Sequence, residues 1–273
     1  MIQTEGLRFA YPTYPEVLRG IDLTVGDGEF VAIMGENGAG KTTLVKTFNG
    51  LLLPTAGRVK VDDVDTRESS VARLSKDVGL VFQNPDHQLF SETVREELAF
   101  SLRNFGYSED TIERRVATIL ETLDLTRYAE SSPFVLSGGE RKRVALAAVL
   151  VWNPKHIILD EPTIGQDYQQ KDRLRNFIVQ LNAQGKTVII ITHDVEFVAE
   201  CRPRIVLLSK GLVIGDAPAE DLLSDEQLLE KASLTRPQIG ALMHQLRDFG
   251  LSDHMIDVYS AEQAILQALG RRT

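Results

Sequence analysis

Apolar residues follow two different rhythms along the chain. Several short runs are apolar at nearly every position, and longer stretches with helical spacing separate them. Runs that are apolar on both faces and alternate with helices are typical of a parallel sheet covered on both sides. The pattern therefore predicts an α/β fold with strands at residues 7–9, 21–25, 30–34, 57–61, 78–82, 157–159, 188–191 and 205–208, those at 57–61 and 78–82 forming a pair.

Apolar residues three and four positions apart predict the helices. Val94, Leu98 and Leu102 begin such a series, and residues 93–151 are expected to be mainly helical. Another helix is predicted from residue 41 to Phe48, where Asn49-Gly50 ends it. Beyond residue 218, apolar positions over residues 239–249 predict an amphipathic helix outside the core.

Composition narrows the class of protein. The chain has 273 residues, 43% of them apolar and 25% charged, which is ordinary for a soluble globular protein. We find no secretory leader pattern and no apolar stretch near the ~18 residues that span a bilayer. The single cysteine, Cys201, fits a reducing compartment. The net charge of −9 argues against nucleic acid as a partner, and predicts that any membrane association goes through a protein.

The residues from Gly35 to Thr42 read Gly-Glu-Asn-Gly-Ala-Gly-Lys-Thr and match the phosphate-loop pattern in full. They follow a predicted strand and open a predicted helix, so backbone N–H groups and the helix N-terminus would form an anion site. Lys41 is expected to reach the β- and γ-phosphates of a nucleotide, and the Thr42 hydroxyl to bind Mg²⁺. The alternative is a glycine-rich turn without a ligand.

Three further residues are candidates for catalysis and metal binding. Asp160 and Glu161 follow a buried strand, and ligands of parallel sheets bind at the carboxyl edge. Asp160 would hold Mg²⁺ through water, and Glu161 would orient or deprotonate the attacking water. His193 follows the next strand and could contact the γ-phosphate at the same edge. The alternatives are a solvated acidic pair and a structural histidine.

Between these motifs lies a signature segment, which we define as Ser137, Gly138 and Gly139. Taken together and in this order, the motifs resemble the ATP-binding cassette (ABC) ATPases over about residues 1–220. The resemblance implies a P-loop NTPase core with an antiparallel β subdomain, a helical subdomain inserted at about residues 84–154, and a C-terminal helical extension at residues 221–273. It also implies that the signature segment of one subunit caps ATP held by the other. A capped helix with a Gly-Gly turn is the alternative.

The same resemblance assigns other residues. Gln83 would reach Mg²⁺ and report the nucleotide state to the helical subdomain. Tyr11 would stack on adenine, although a packed surface tyrosine is the alternative. Asp167 would lie at the dimer interface. With ATP and Mg²⁺ as cofactors, the implied nucleotide-binding residues are Tyr11, Gly35, Asn37, Gly38, Ala39, Gly40, Lys41, Thr42, Thr43, Gln83, Ser137, Gly138, Gly139 and Asp167, and the metal-binding residues are Thr42, Gln83 and Asp160.

Two positions depart from the family pattern. Glu140 stands where the family usually has glutamine, and Gln166 stands where leucine is usual. Glu140 brings a negative charge close to the place where a triphosphate must bind, and it weakens the site if it points inward. Either departure is compatible with pairing to a non-identical subunit.

Residues 84–100 resemble one branch of the family, the ATPases of energy-coupling factor importers, including cobalt- and nickel-type systems. The resemblance implies a peripheral subunit on the cytoplasmic face of the membrane, bound to a transmembrane coupling protein and a substrate-capture subunit that import vitamins or transition metal ions. Gln88, Leu89 and Phe90 are expected at an apolar docking groove, with a small local core as the alternative. Nearby acids could receive basic residues of a coupling helix, or form a solvated face: Asp86, Glu92, Glu96 and Glu97. The extension would help two ATPases dimerise.

Other functions remain open from the sequence. The chain could serve a different ABC importer or an exporter. A cassette ATPase acting on ribosomes or DNA is disfavoured, because the chain has a single cassette, no long coiled-coil insertion and an acidic balance. A catalytically degenerate partner subunit is disfavoured by the presence of Glu161 and His193.

Overall fold

A four-stranded antiparallel sheet forms the N-terminal layer. The computed structural model of the chain describes residues 1–252 and 254–270. The strand order of this sheet is β2-β1-β4-β5, with β1 (Ile2–Ala10), β2 (Glu16–Val25), β4 (Ala56–Val61) and β5 (Val64–Asp65). Its buried face packs with helix α1 (Lys41–Phe48) and one face of the second sheet in a single apolar cluster.

The second sheet has six strands in the order β10-β9-β3-β8-β7-β6. Neighbours from β9 to β6 run parallel, and β10 adds an antiparallel edge. Every residue of β6, β7 and β8 is buried, as the continuous apolar runs predict. The strands are β3 (Phe30–Met34), β6 (Val78–Val81), β7 (His156–Asp160), β8 (Thr187–Ile191), β9 (Arg204–Ser209) and β10 (Leu212–Pro218).

The predicted pairing of residues 57–61 with 78–82 is wrong. Both segments are strands, but β4 pairs with β1 in the antiparallel sheet, and β6 pairs with β7 in the parallel one. The apolar pattern identifies a strand, but it does not identify its neighbour, because pairing depends on residues distant in sequence. The predicted α/β class with an antiparallel subdomain is confirmed.

Helices cover the parallel sheet and connect its strands. Helix α5 packs against α3, α4 and strand β6, and seven consecutive residues of α5 from Val144 to Leu150 are buried. The predicted helical stretch at residues 93–151 is thereby confirmed. These helices and those that flank the strands are α2 (Val71–Asp77), α3 (Val94–Asn104), α4 (Glu109–Thr122), α5 (Gly138–Leu150), α6 (Tyr168–Ala183) and α7 (Val195–Cys201).

The C-terminal segment is helical and packs on the core. Leu222 and Leu229 belong to the same apolar cluster as the parallel sheet, whereas Leu242 and Phe249 stay exposed. The predicted extension ends at residue 273, so its residues 253 and 271–273 lie outside the described residues. None of the helices in the described ranges has both the length and the apolar character that crossing a bilayer requires. The helices here are α8 (Ala219–Leu222), α9 (Glu226–Lys231), α10 (Gln238–Gln245) and α11 (Val258–Gly270).

Candidate functional site

The phosphate loop turns tightly between β3 and α1, and two of its glycines are required by the backbone. Gly35 has a φ of 144°, and a Cβ there would lie 2.0 Å from the carbonyl oxygen of Leu208. Gly40 caps α1 with a φ of 103°, and a Cβ there would lie 2.8 Å from a methyl carbon of Leu18. Side chains at these positions would therefore strain or displace the loop.

Lys41 is buried and folds back over the loop. Its Nζ donates hydrogen bonds to the carbonyl oxygens of Gly35 at 2.8 Å and Glu36 at 2.9 Å. Burial lowers the pKa of Lys41 below its ordinary value, and the nearby charges of Glu161, Asp160 and Glu36 oppose that shift. A cation held among loop carbonyls and carboxylates can exchange these partners for phosphate oxygens.

Thr42 and Asp160 form the oxygen pair expected of a magnesium site. The Thr42 hydroxyl donates a hydrogen bond to Asp160 Oδ2 at 2.8 Å. Burial raises the pKa of Asp160, and the hydrogen bond from Thr42 opposes that shift. Oδ1 of Asp160 is buried and finds no hydrogen-bond partner among the residues that the structure describes. A hydroxyl and a carboxylate with an unused oxygen fit Mg²⁺, which prefers hard oxygen ligands.

Glu161 and His193 come from the ends of adjacent strands and meet. His193 Nδ1 lies 2.9 Å from Glu161 Oε1. Glu161 has a φ of 49°, and its backbone N–H donates to the carbonyl of Ile191 at 2.8 Å, which fixes the turn after β7. Its second oxygen, Oε2, is buried without a partner within the described part of the chain. That oxygen is free to accept a proton or a hydrogen bond from water.

These groups line one cleft, which we call the nucleotide cleft. The cleft brings together the phosphate loop, the acid pair Asp160 and Glu161, the imidazole of His193, and Gln83, as the sequence predicts. Among the described residues that line it, none belongs to the signature segment. The lining residues are Val17, Asn37, Gly38, Gly40, Lys41, Thr42, Thr43, Gln83, Asp160, Glu161, Ile164, Ile191 and His193.

Besides Gly35 and the signature segment, three predicted nucleotide-binding residues do not line the cleft. The Tyr11 hydroxyl is 3.2 Å from the Thr43 hydroxyl, so the ring lies beside the phosphate loop. Ala39 is buried, and its carbonyl accepts a hydrogen bond from the Gly211 N–H at 3.1 Å, which ties the loop to the β9–β10 turn. Asp167 is exposed and caps α6 through the N–H of Gln170 at 2.8 Å.

The signature segment opens helix α5. Ser137 is the N-cap residue, and both Ser137 and Gly138 are exposed to solvent. A Cβ built on Gly138 would meet no atom of the described residues within 4 Å, apart from its chain neighbours and the backbone of its own helix, so the helix N-terminus is accessible. Glu140 points back to Ser137 rather than into the nucleotide cleft of its own chain. Exposed amides at a helix N-terminus can bind a phosphate brought by another subunit.

Gln88 has a contact that the sequence does not reveal. Its Oε1 accepts a hydrogen bond from the Phe82 N–H at 3.2 Å, and its Nε2 donates to the Ala145 carbonyl at 2.7 Å. It thereby links the segment before Gln83 to helix α5. Gln83 itself lines both the nucleotide cleft and a neighbouring cavity of about 310 Å³ beside α5 and α6. No local sequence pattern predicts these contacts of Gln88, because its partners are 6 and 57 residues away.

Two expectations about residues 84–100 need correction. Leu89 is only 3% exposed, so it lies in a local core, which is the alternative, and does not line an exposed docking groove. Phe90 packs edge-on against Phe100 with ring centroids 4.7 Å apart, and both rings are exposed. Glu97 is 4% exposed and accepts hydrogen bonds from the N–H groups of Phe90 and Ser91. A buried carboxylate engaged in this way is unavailable to a partner's basic residue.

The family follows from a comparison with known proteins. The model of the ABC transporter family matches residues 18–164, which is more than half of the chain. The chain belongs to the ABC transporter ATPases. Members of this family bind and hydrolyse ATP, and their cassettes form dimers, so this chain is an ABC ATPase.

Individual relatives of this ABC ATPase refine the comparison. The energy-coupling factor transporter ATP-binding protein EcfA of Methanothermobacter thermautotrophicus is 40% identical over 273 residues, covering 99% of this chain and 88% of the relative. EcfA2 of Clostridium perfringens is 37% identical, with 98% of each chain covered. The ABC ATPase described here is thus similar to energy-coupling factor ATPases along nearly its whole length.

Solved structures agree with this result. The structure of cbiO1 from Clostridium perfringens, described as part of the ABC transporter complex cbiONQ, has a TM-score of 0.76 and 35% identity, covering 89% of this chain and 98% of that one. The ATP-binding cassette MJ0796, solved as a dimer bound to ADP and Pi, has a TM-score of 0.73 and 30% identity, covering 80% and 99%. The ABC ATPase fold is therefore matched by cassettes of known structure.

Proposed function

We propose that this ABC ATPase powers an energy-coupling factor importer that takes up a vitamin or a transition metal ion. The observation that carries the proposal is the division of the site. The nucleotide cleft holds the loop, Asp160, Glu161 and His193, whereas no described residue of the signature segment lines it, and Ser137 and Gly138 are exposed to solvent. A second ATPase subunit would bring its own signature segment to this cleft and complete it. Turnover would then depend on closure of the dimer, which is what a transporter can couple to movement.

The reaction is transfer of the γ-phosphoryl group to water. Loop amides and Lys41 bind the phosphates, and Thr42, Gln83 and Asp160 would hold Mg²⁺, which supplies positive charge beside the phosphate oxygens. Glu161 accepts a proton from the attacking water through Oε2. The water oxygen bonds to the γ-phosphorus, and the bond from that phosphorus to the ADP oxygen breaks. His193 holds Oε1 and keeps the carboxylate oriented.

Other residues would serve nucleotide binding and assembly. Tyr11 stacks on the adenine once its ring leaves the Thr43 hydroxyl, and Asn37 and Gly38 line the phosphate end of the cleft. Asp167 lies at the dimer interface. The C-terminal helices, with exposed Leu242 and Phe249, add contact area between the two ATPases.

Docking to the transmembrane coupling protein would use the docking patch, which we define as Phe90 and Phe100. This pair is 58% and 46% exposed, and exposed aromatic pairs are typical of interfaces. Glu92 and Glu96 are exposed beside it and would attract a basic coupling helix. Asp86 already pairs with Arg141 at 2.9 Å. Docking would place the ATPase peripherally on the cytoplasmic face of the membrane.

Purification from the native membrane in mild detergent, followed by mass spectrometry, tests this proposal. We expect a transmembrane coupling protein, a second ATPase copy or homologue, and a small capture subunit to come with the chain. A strain in which Lys41→Ala replaces the wild type separates assembly from turnover, since it should assemble and yet fail to take up substrate. Recovery without any membrane protein would overturn the transport proposal and leave the ATPase assignment intact.

A further inference from the structure

The first turn of helix α5 carries its own anion. Oε2 of Glu140 accepts hydrogen bonds from the Ser137 hydroxyl at 2.6 Å and the Ser137 backbone N–H at 2.8 Å. The Glu140 N–H donates in return to the Ser137 hydroxyl oxygen at 3.4 Å, which completes a capping box. The Tyr128 hydroxyl donates to the other carboxylate oxygen, Oε1.

The Glu140 carboxylate is ionised throughout the physiological range. Hydrogen bonds from Ser137 and Tyr128 lower the pKa of Glu140 to about 2, and the charge of Arg143 contributes to the shift. Helix amides and the helix dipole stabilise a carboxylate here for the same reason that they attract a phosphate. The carboxylate and an incoming γ-phosphate therefore compete for the same donors.

The surroundings allow the carboxylate to leave Ser137. Space around Gly138 is open, so a phosphate can approach from solvent. On the other side, Glu140 keeps the Tyr128 hydroxyl, and Arg127 stacks on the Tyr128 ring with its guanidinium carbon 4.6 Å from the ring centre. Arg143 lies one turn along α5. A displaced carboxylate thus retains the Tyr128 donor and the favourable charge of Arg143.

We propose that Glu140 is a positioning residue that holds the Ser137 hydroxyl in its own subunit until the partner's nucleotide displaces it. The inference rests on the proposed contact between Ser137 and the partner's γ-phosphate. On displacement, the Ser137 hydroxyl exchanges its hydrogen bond to Glu140 for one to the phosphate. The negative charges of the Glu140 carboxylate and the γ-phosphate then remain close to each other. Glu140 therefore raises the ATP concentration at which the dimer closes more than a glutamine would, because a hydrogen bond from Ser137 to a neutral amide oxygen is weaker than one to a carboxylate.

Glu140→Gln removes the negative charge and keeps the helix cap, because glutamine also completes a capping box. The KM for ATP and kcat are measured on the ATPase complex purified from membranes, at low and at high salt. We expect the KM to fall roughly fivefold at low salt, with a smaller difference at high salt, as for exposed charges near a phosphate. The melting temperature should stay within about 2 °C of wild type. An unchanged or higher KM overturns the inference.

A double-mutant cycle with Ser137→Ala identifies the mechanism. If Glu140 acts by holding the Ser137 hydroxyl, the KM gain from Glu140→Gln should drop below about twofold in the Ser137→Ala background. An equal gain in both backgrounds shows that the charge acts at a distance, and overturns the inference. If Ser137→Ala impairs turnover while Glu140→Gln is neutral, only this inference fails. If Ser137→Ala alone changes neither KM nor kcat, the proposed use of the signature segment fails as well.

Discussion

Glu161 and His193 share a hydrogen bond of 2.9 Å between carboxylate Oε1 and ring Nδ1. The bond joins the ends of two neighbouring parallel strands, β7 and β8, whose registry places Asp160 opposite Ile191. One carboxylate oxygen is fixed by the ring, and the other is left buried and unpaired within the described residues. The arrangement resembles an oriented general base, with the imidazole as the orienting group.

Removal of that orienting group should slow chemistry more than binding. We expect His193→Ala to lower kcat roughly 100-fold while ATP affinity changes little, because Glu161 loses its fixed orientation. Steady-state ATPase assays and equilibrium nucleotide titration separate the two effects. His254→Ala, which changes an exposed histidine of the C-terminal segment, is the matched control. A His193→Ala enzyme with wild-type kcat would show that the hydrogen bond has no catalytic importance.

Glu97 should matter for stability. Its carboxylate accepts the backbone N–H groups of Phe90 at 2.9 Å and Ser91 at 2.8 Å in a buried setting. Glu97→Ala leaves both donors unsatisfied, and we expect a loss of about 2 kcal/mol in the free energy of unfolding. Denaturant titration measures it, with the exposed neighbour Glu96→Ala as control, expected within about 0.5 kcal/mol of wild type. Equal stability of the two variants would disprove the structural importance of Glu97.

The docking patch should act on assembly and leave nucleotide chemistry intact. Phe90→Ala removes one ring of the exposed pair whose centroids are 4.7 Å apart. We expect the purified ATPase to bind ATP normally, while recovery of the membrane partner falls at least about tenfold, as for loss of an aromatic interface anchor. Leu212→Ala, an exposed apolar residue on the opposite edge strand β10, is the control. Full recovery of the partner with Phe90→Ala would place docking elsewhere.

Asp62 should make stability depend on pH in the acid range. Burial alone would raise the pKa of Asp62, but hydrogen bonds from Lys155, 2.8 Å away, and from the Met1 amino group take it well below its ordinary value. A carboxyl whose folded pKa is depressed stabilises the fold above its unfolded pKa of about 4, and this contribution is lost as pH falls further.

The corresponding variant is Asp62→Asn. We expect it to be less stable than wild type at pH 7, by less than about 1 kcal/mol because the group is partly exposed, and the difference to shrink below pH 4. Asp63→Asn, at the adjacent turn position, is the control. Urea titrations between pH 7 and 3 provide the measurement. A stability difference that is constant with pH would exclude the charge of Asp62 as its source.

Local patterns account for much of the site. The phosphate loop and His193 each follow a buried strand, and Asp160 ends another. Parallel strands bring their carboxyl ends to one edge, so a shared cleft could be predicted from the sequence. The capping box could also be anticipated, since Ser137 and Glu140 are three residues apart. The direction of the Glu140 side chain could not be predicted, because its hydrogen bond with Tyr128 depends on how a preceding turn packs.

Long-range packing accounts for what the sequence did not show. The sequence predicts Leu89 at an exposed groove and Glu97 on an acidic face, yet both are buried. Glu97 can be buried because two backbone donors compensate its charge. Gln88 links the segment before Gln83 to α5 through hydrogen bonds to backbone atoms 6 and 57 residues away, which a local sequence pattern does not reveal. The partners of these side chains are set by the tertiary fold.

ATP turnover by Glu161→Gln in the membrane-purified complex tests the catalytic role of Glu161 most directly. Because Glu161 takes the proton of the attacking water, replacement of its carboxylate by an amide should lower kcat at least about 100-fold. ATP should still bind with wild-type affinity and accumulate unhydrolysed in a closed ATPase dimer, detectable as retained nucleotide after gel filtration. Hydrolysis at the wild-type rate would contradict the assignment of Glu161 and the mechanism built on it.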